Sequence, residues 1–175
     1  KLNDDIYVTG NLGDSFTGLQ ILKKKYQVSK ILKEYFEDKY YQPILNLRLT
    51  KKLFKFANTS IDISDGLIDD LGKLINKQKL SYIINLNNIP ISKNLEKLLF
   101  LKKKKIKSFI SRGDDYQILF TASVSKTRII SKIAKSLGIK ISKIGKITSN
   151  ACKSQIIDQK GKKIAIKEKG YFHNF

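Results

Sequence analysis

The sequence predicts an α+β fold, a layered mixed sheet packed with helices, and three observations carry that expectation. Strand-like and helix-like segments are mixed along the 175 residues without strict alternation. "YQILFTA" (116–122) is a nearly continuous run of apolar and β-forming residues, the mark of a central strand. "DGLIDDLGKLIN" (65–76) carries Leu67, Ile68, Leu71, Leu74 and Ile75 at helical spacing, a stripe that must be covered by another layer.

The remaining elements follow in chain order. "DDIYVTG" (4–10) predicts a short strand, and "GDSFTGLQILKKK" (13–25) a helix with Asp14 or Ser15 as its N-cap. "SKILKEYFEDKYY" (29–41) predicts a second helix, with Ile31, Leu32, Tyr35 and Phe36 at helical spacing. Pro43 falls in an extended link, and "TKKLFKFA" (50–57) predicts a helix capped by Thr50. "SIDIS" (60–64) alternates as a strand, "LSYIINLN" (80–87) is strand-like and "SKNLEKLLF" (92–100) helical. "SKTRIISKIAKSLG" (125–138) reads as an amphipathic helix closed by Gly138. "IKISKIGKIT" (139–148) supplies one or two strands, and "SQIIDQKGKKIAI" (154–166) a hairpin around "DQKG".

Composition narrows the function. Apolar residues make up 41% of the chain, enough for a real core, and no apolar run reaches membrane-spanning length. Cys152 is the single cysteine, which excludes a disulfide framework and a thiolate metal cluster. No signal peptide is visible, so a cytoplasmic protein is expected. The chain starts at Lys1 and contains no Met, which predicts that a portion precedes it in the gene product. The formal net charge is +20, yet all but three of the 35 basic residues are Lys. Specific nucleic-acid readers lean on Arg for bidentate contacts, and A/T-rich codons account for abundant Lys, Ile and Asn together. The expectation is a solvated surface rather than a dedicated nucleic-acid face.

Against that charge, "TSIDISDGLIDDL" (59–71) concentrates Asp62, Asp65, Asp69 and Asp70. A strand delivers Asp62, and the chain turns at Ser64-Asp65-Gly66 into a helix. Asp62 and Asp65 can converge at the strand's end, beside Ser64 and the first helical N–H groups. Mg²⁺ takes hard oxygen ligands, one or two carboxylates with phosphate oxygens and water, and a helix N-terminus supplies donors for phosphate. The alternative is that Ser64 or Asp65 merely caps the helix. Capping explains less of Asp62, which lies before the cap. Asp69 and Asp70 are expected in an exposed first turn, complementing the helix dipole.

"SRGDDYQILF" (111–120) places Asp114 and Asp115 after a Gly and before a buried strand, as site residues or as ordinary turn residues. "LGDS" (12–15) lacks the features of a phosphate-binding Walker loop and reads as a turn with a cap. His173 has no nearby Cys and forms neither a zinc site nor a triad. Tyr171 beside it reads as terminal packing or a stacking residue.

In this order, "DDIYVTGNLGDS", "IDISDGLIDDLG", "RGDDYQILFT", "ISKIGKIT" and "GYFHNF" resemble the C-terminal domain of the thiamine-monophosphate kinase family. That family belongs to the superfamily of aminoimidazole ribonucleotide synthetase and selenophosphate synthetase. The resemblance covers essentially all 175 residues. It implies that residues 1–175 are the C-terminal α/β domain and that an N-terminal domain binding ATP and Mg²⁺ lies outside this chain. It implies phosphorylation of thiamine monophosphate by ATP to thiamine diphosphate, and a homodimer formed through that other domain. Alone, the chain is expected to be a poor or inactive catalyst.

Residue by residue, Asp62 and Asp65 match the family's magnesium-binding acids, and Ser64 a nucleotide-contacting serine. Asp114 matches a substrate-contacting position, and Tyr171 an aromatic that contacts the thiamine moiety. Asp114 stands where the family usually has Glu, and Arg112 where Gly is common. Asn3 replaces the Gly of a "PGD"-like lead-in, a change confined to a turn. The runner-up readings are a superfamily relative with another acceptor and a basic nucleic-acid-binding module.

Overall fold

The computed structural model describes residues 1–75, 78–151 and 153–165. Among these described residues seven strands form one sheet: β1 (Asp5–Thr9), β2 (Ala57–Asp62), β3 (Leu80–Asn85), β4 (Ile118–Ala122), β5 (Ile141–Ser149), β6 (Gln155–Ile157) and β7 (Lys163–Ile164). Seven helices surround it: α1 (Asp14–Leu22), α2 (Lys30–Tyr41), α3 (Leu47–Leu53), α4 (Leu67–Ile75), α5 (Lys93–Leu101), α6 (Lys107–Ile110) and α7 (Thr127–Leu137). The strand order is β2-β4-β1-β5-β3-β6-β7, antiparallel throughout except for the parallel β3–β6 pair. The α+β expectation of a mixed sheet packed with helices is borne out.

Strand alternation builds the layers. Successive side chains of a strand point to opposite faces. On β1, Ile6 and Val8 join Leu67, Leu71 and Leu74 of α4 on one face. Tyr7 points the other way, where it stacks on Phe120 with ring centroids 5.2 Å apart. There α3 and α7 cover the sheet through Leu49 and Ile130. A third cluster, with Ile21, Phe36, Leu95, Leu98 and Phe109, knits α1, α2, α5 and α6 together.

The central strand is where the apolar run put it: β4 is buried at every position and lies between β2 and β1. Gly138 closes α7 with φ 64, and β6 and β7 pair as the expected hairpin. Asn3 sits in a turn with φ 67, a conformation Asn tolerates.

Three local expectations are corrected. Gly13, not Asp14 or Ser15, is the N-cap residue of α1. Thr50 lies inside α3, whose N-cap is Asn46, and its hydroxyl donates back to the Leu47 carbonyl at 2.8 Å. Ile31 shares the spacing of the α2 core stripe yet is 78% exposed, because only the Phe36 side of that helix meets another layer. The short helix α6 had no periodic signal in the sequence. Among the described residues no helix is long and apolar enough to cross a membrane.

Candidate functional site

One edge of the sheet gathers the ends of β1 and β2 and the starts of β4 and β5, since Thr9 pairs with Ile141 and Asp62 with Ile118. Two turns interlock there. Past the end of β2, the Ile63 N–H donates to the Gln117 carbonyl at 2.8 Å and the Tyr116 N–H to the Ile63 carbonyl at 2.9 Å. The Asp114 N–H donates to the Ser64 carbonyl at 3.0 Å. These bonds prolong the β2–β4 ladder into both acidic segments.

Two glycines allow this approach. A Cβ on Gly113 would run into the Ser64 carbonyl, and Gly66, at φ 125, has the Ser111 carbonyl in the same position. Asp114 and Tyr116 hold φ 69 and φ 50 without being Gly. Such backbone costs on the order of 1–3 kcal/mol per residue and persists only where surroundings over-determine it. Both residues lie in the segment that zips onto 63–66.

The predicted site residues fall as follows. Asp62 is the last residue of β2 and exposed, and among the described residues its carboxylate makes no hydrogen bond or ion pair. Ser64 is half-buried and gives its carbonyl to Asp114. The half-buried Asp65 carboxylate pairs with the Lys73 ammonium, which also donates to Asp70 at 2.8 Å. Asp65, with Asp70, pushes the Lys73 amine up and keeps it charged. Burial raises the Asp114 carboxyl, the Asp65 charge adds to that, and Lys23 opposes it. Ser64, Asp65 and Asp114 are therefore one neighbourhood. Tyr171 lies outside the described residues, as do Cys152 and His173.

The expectation of an exposed Asp70 is corrected. Asp70 is fully buried, and its carboxylate accepts from the Asp65 and Gly66 N–H groups, both at 3.0 Å. It complements the start of α4 by direct hydrogen bonding, which draws it inside. Asp115, expected as a site residue or an ordinary turn residue, is not in an exposed turn. It is instead buried against α1, accepting from the Gly13 N–H at 2.8 Å and the Ser15 N–H at 3.4 Å. Burial pushes its carboxyl well up, and the Gly13 N–H offsets part of that. No local signal could reveal a cap supplied from a hundred positions along the chain.

Asp14, freed from capping, is also buried and accepts from Ser92 at 2.7 Å and Tyr35 at 2.9 Å. It lines a cavity of about 390 Å³ with Asn11, Tyr35, Lys39, Asn46 and Lys140. Asp115 and Gln117, which flank Tyr116 of the interlocked turns, also line this cavity. Asp62, Ser64, Asp65 and Asp114 do not line it.

As a metal site the corner is partial. Among the described residues no three carboxylate, imidazole or thiol groups come together tightly enough to hold an ion. The donor set still fits Mg²⁺, which uses one or two protein carboxylates and takes its other ligands from phosphate and water. The unpaired Asp62 carboxylate suits that role.

No protein-family model matches the sequence. Over 99% of its length it is 39% identical to the thiamine-monophosphate kinase of Buchnera aphidicola subsp. Schizaphis graminum. It is 30% identical, over the same share, to that of Escherichia coli K12. The chain is homologous to thiamine-monophosphate kinases. It spans about half the length of those relatives, 53% of each. The thiamine-monophosphate kinase structure from Stenotrophomonas maltophilia K279a matches with a TM-score of 0.78 at 26% identity, over 91% of this chain and 51% of that one. AaThiL complexed with AMPPCP and TMP matches with a TM-score of 0.80 at 26% identity, over 99% and 52%. Escherichia coli HypE, at 14% identity and a TM-score of 0.75, shares the fold alone. The kinase resemblance thus holds along the whole chain, and the interlocked turns are built from two of the blocks that carried it.

Proposed function

We propose that the full-length protein transfers the γ-phosphoryl group of ATP to thiamine monophosphate, giving thiamine diphosphate and ADP. This chain contributes the C-terminal part of that enzyme and acts with an N-terminal domain that supplies further acids and a dimer contact. The observation that carries the proposal is the interlock of "IDISDGL" with "RGDDYQ", which sets Ser64, Asp65 and Asp114 together at one sheet edge in a homologue of these kinases. The AaThiL complex with AMPPCP and TMP supports the substrate pair.

The chemistry asks little covalent help of the protein. The acceptor is a phosphate oxygen, already ionised near neutral pH, so no strong general base is needed. The obstacle is repulsion between two anions, and bound Mg²⁺ would supply charge neutralisation there. Asp62 and Asp65 are assigned to hold that ion, with Lys73 as the counter-charge of Asp65 in its absence. Ser64 is assigned to the nucleotide. Asp114 and Tyr171 are assigned to the acceptor, and the shorter Asp at 114 shifts that contact relative to the family's Glu. Asp114 and Tyr116, on the side assigned to the acceptor, hold left-handed backbone. A cytoplasmic location suits an enzyme of soluble phosphorylated metabolites.

The test is thiamine diphosphate formation from thiamine monophosphate and ATP by the full-length gene product. A folded full-length protein without that activity overturns the proposal. ATP turnover with a different acceptor would move the protein to another branch of the superfamily.

A further inference from the structure

Away from this edge, the entry to α2 and the exit of α5 form a surface that the proposed activity does not use. Val28 and Leu32 on one side and Leu98 and Leu101 on the other line a groove of about 560 Å³. On α5, Lys97, Phe100 and Leu101 share a face at three- and four-residue spacing, and Ile31 follows Val28 at the same spacing. Phe100 is 85% exposed, Ile31 78% and Leu101 60%. Leu101 lines the groove, and Phe100 and Ile31 adjoin its lining residues Leu101 and Leu32 in sequence, so these exposed side chains are not scattered singly over the surface.

The rim is cationic. Lys97 and Lys102 line the groove, and Lys102 opens the run Lys102–Lys105, exposed throughout. Among the described residues none of these five ammonium groups takes part in a hydrogen bond or ion pair. The α2 acids nearby are already engaged, Glu34 with Lys30 and Glu37 with Lys33, each at 3.8 Å. Glu96 is the one acid on α5. Base composition accounts for surface lysines in general. It does not account for a phenylalanine left in water beside four of them.

The geometry points to a docking groove for an acidic amphipathic segment of a partner protein. Its chemistry is set by the groove: two bulky apolar side chains on one face, flanked by Asp or Glu. A concave floor between two helices receives protruding side chains, as helix-in-groove recognition requires. A bilayer meets a flat or convex apolar face, and a nucleic acid strand would leave the apolar floor unfilled. The free lysines steer the acidic segment and make its capture salt-dependent.

The probe is a labelled synthetic peptide of about four helical turns, with Leu and Phe along one face and Glu on the others. It is titrated with the full-length gene product by fluorescence anisotropy. Saturable binding is expected, weakened about tenfold or more by the double variant Phe100→Glu/Leu101→Glu. Both side chains are exposed, so thermal unfolding of this variant should match the parent. A second variant, Lys102→Gln through Lys105→Gln, should bind more weakly and lose most of the salt dependence. A peptide of the same composition with its apolar stripe broken should bind at least about tenfold more weakly. The inference is overturned by absent saturation, by equal binding of the scrambled peptide, or by indifference to Phe100→Glu/Leu101→Glu. Tighter binding of phosphatidylserine vesicles or single-stranded RNA than of the peptide would also overturn it.

Discussion

Two adjacent acid pairs, Asp69–Asp70 on α4 and Asp114–Asp115 ahead of β4, look interchangeable in the sequence and divide the same way in the structure. The second member of each is buried and accepts hydrogen bonds from N–H groups at a helix start: Asp70 at α4, Asp115 at α1. Asp114 keeps water contact, as do Asp62 and Asp65. The difference teaches that access to backbone N–H donors, not membership of an acid pair, sorts a carboxylate into the frame or leaves it in the candidate site. Buried carboxylates need backbone donors to repay desolvation. Exposed ones remain available to a cation.

That division can be broken by substitution. The largest effect is expected from Asp62→Ala in the full-length protein. Thiamine diphosphate formation should fall roughly a hundredfold or more, the scale of several kcal/mol of charge stabilisation. The unfolding temperature should stay at the parent's value, because Asp62 is exposed and unpaired. A clear drop in that temperature would place Asp62 with the frame instead.

Asp115→Ala should behave in the opposite way, losing about 1–3 kcal/mol of stability in urea titration by leaving the Gly13 and Ser15 N–H groups without their acceptor. Asp115→Asn sharpens the point through pH. Burial raises the folded Asp115 carboxyl above its unfolded value of about 4. Its contribution is therefore complete below about pH 4 and is lost as pH rises through the folded value. Asp115→Asn should flatten that decline, and an unchanged stability–pH profile above about pH 4 would exclude Asp115 as its source.

The smallest effect is expected from Lys73→Gln. Half of that side chain is in water, so the pair with Asp65 and Asp70 is screened and contributes about 0–1 kcal/mol. Because the Lys73 amine is raised, the contribution is present below its unfolded value of about 10.5 and is lost only as pH climbs beyond it. A loss well above 1 kcal/mol would mean that Asp70 depends on Lys73 more than on its two backbone donors.

Much of this was legible from local pattern. Alternation in "SIDIS", the apolar run in "YQILFTA" and the stripe Leu67–Ile75 each depend on residues a few positions apart, and the structure has β2, β4 and α4 there. Helix starts were less legible. Gly13 and Asn46 head α1 and α3 because the acceptors that hold them come from elsewhere in the chain. For α1 the acceptor is Asp115; for α3 the Asn46 amide is held by Thr9 and Gln117 at 3.2 and 3.1 Å. Ile31 misled because helical spacing identifies a face without saying whether another layer reaches it.

By itself the sequence determined the α+β class, most of the elements and the positions of Asp62, Ser64, Asp65 and Asp114, since periodicity and turn chemistry act over short stretches of backbone. Only the tertiary structure decided that Gly113 seats on the Ser64 carbonyl, that Asp114 lies beside Asp65, and that Asp70 and Asp115 are enclosed. Those outcomes depend on which segments the sheet brings edge to edge. For Asp115 the cost of a buried charge is offset there by the Gly13 and Ser15 N–H groups, donors that the local sequence does not contain.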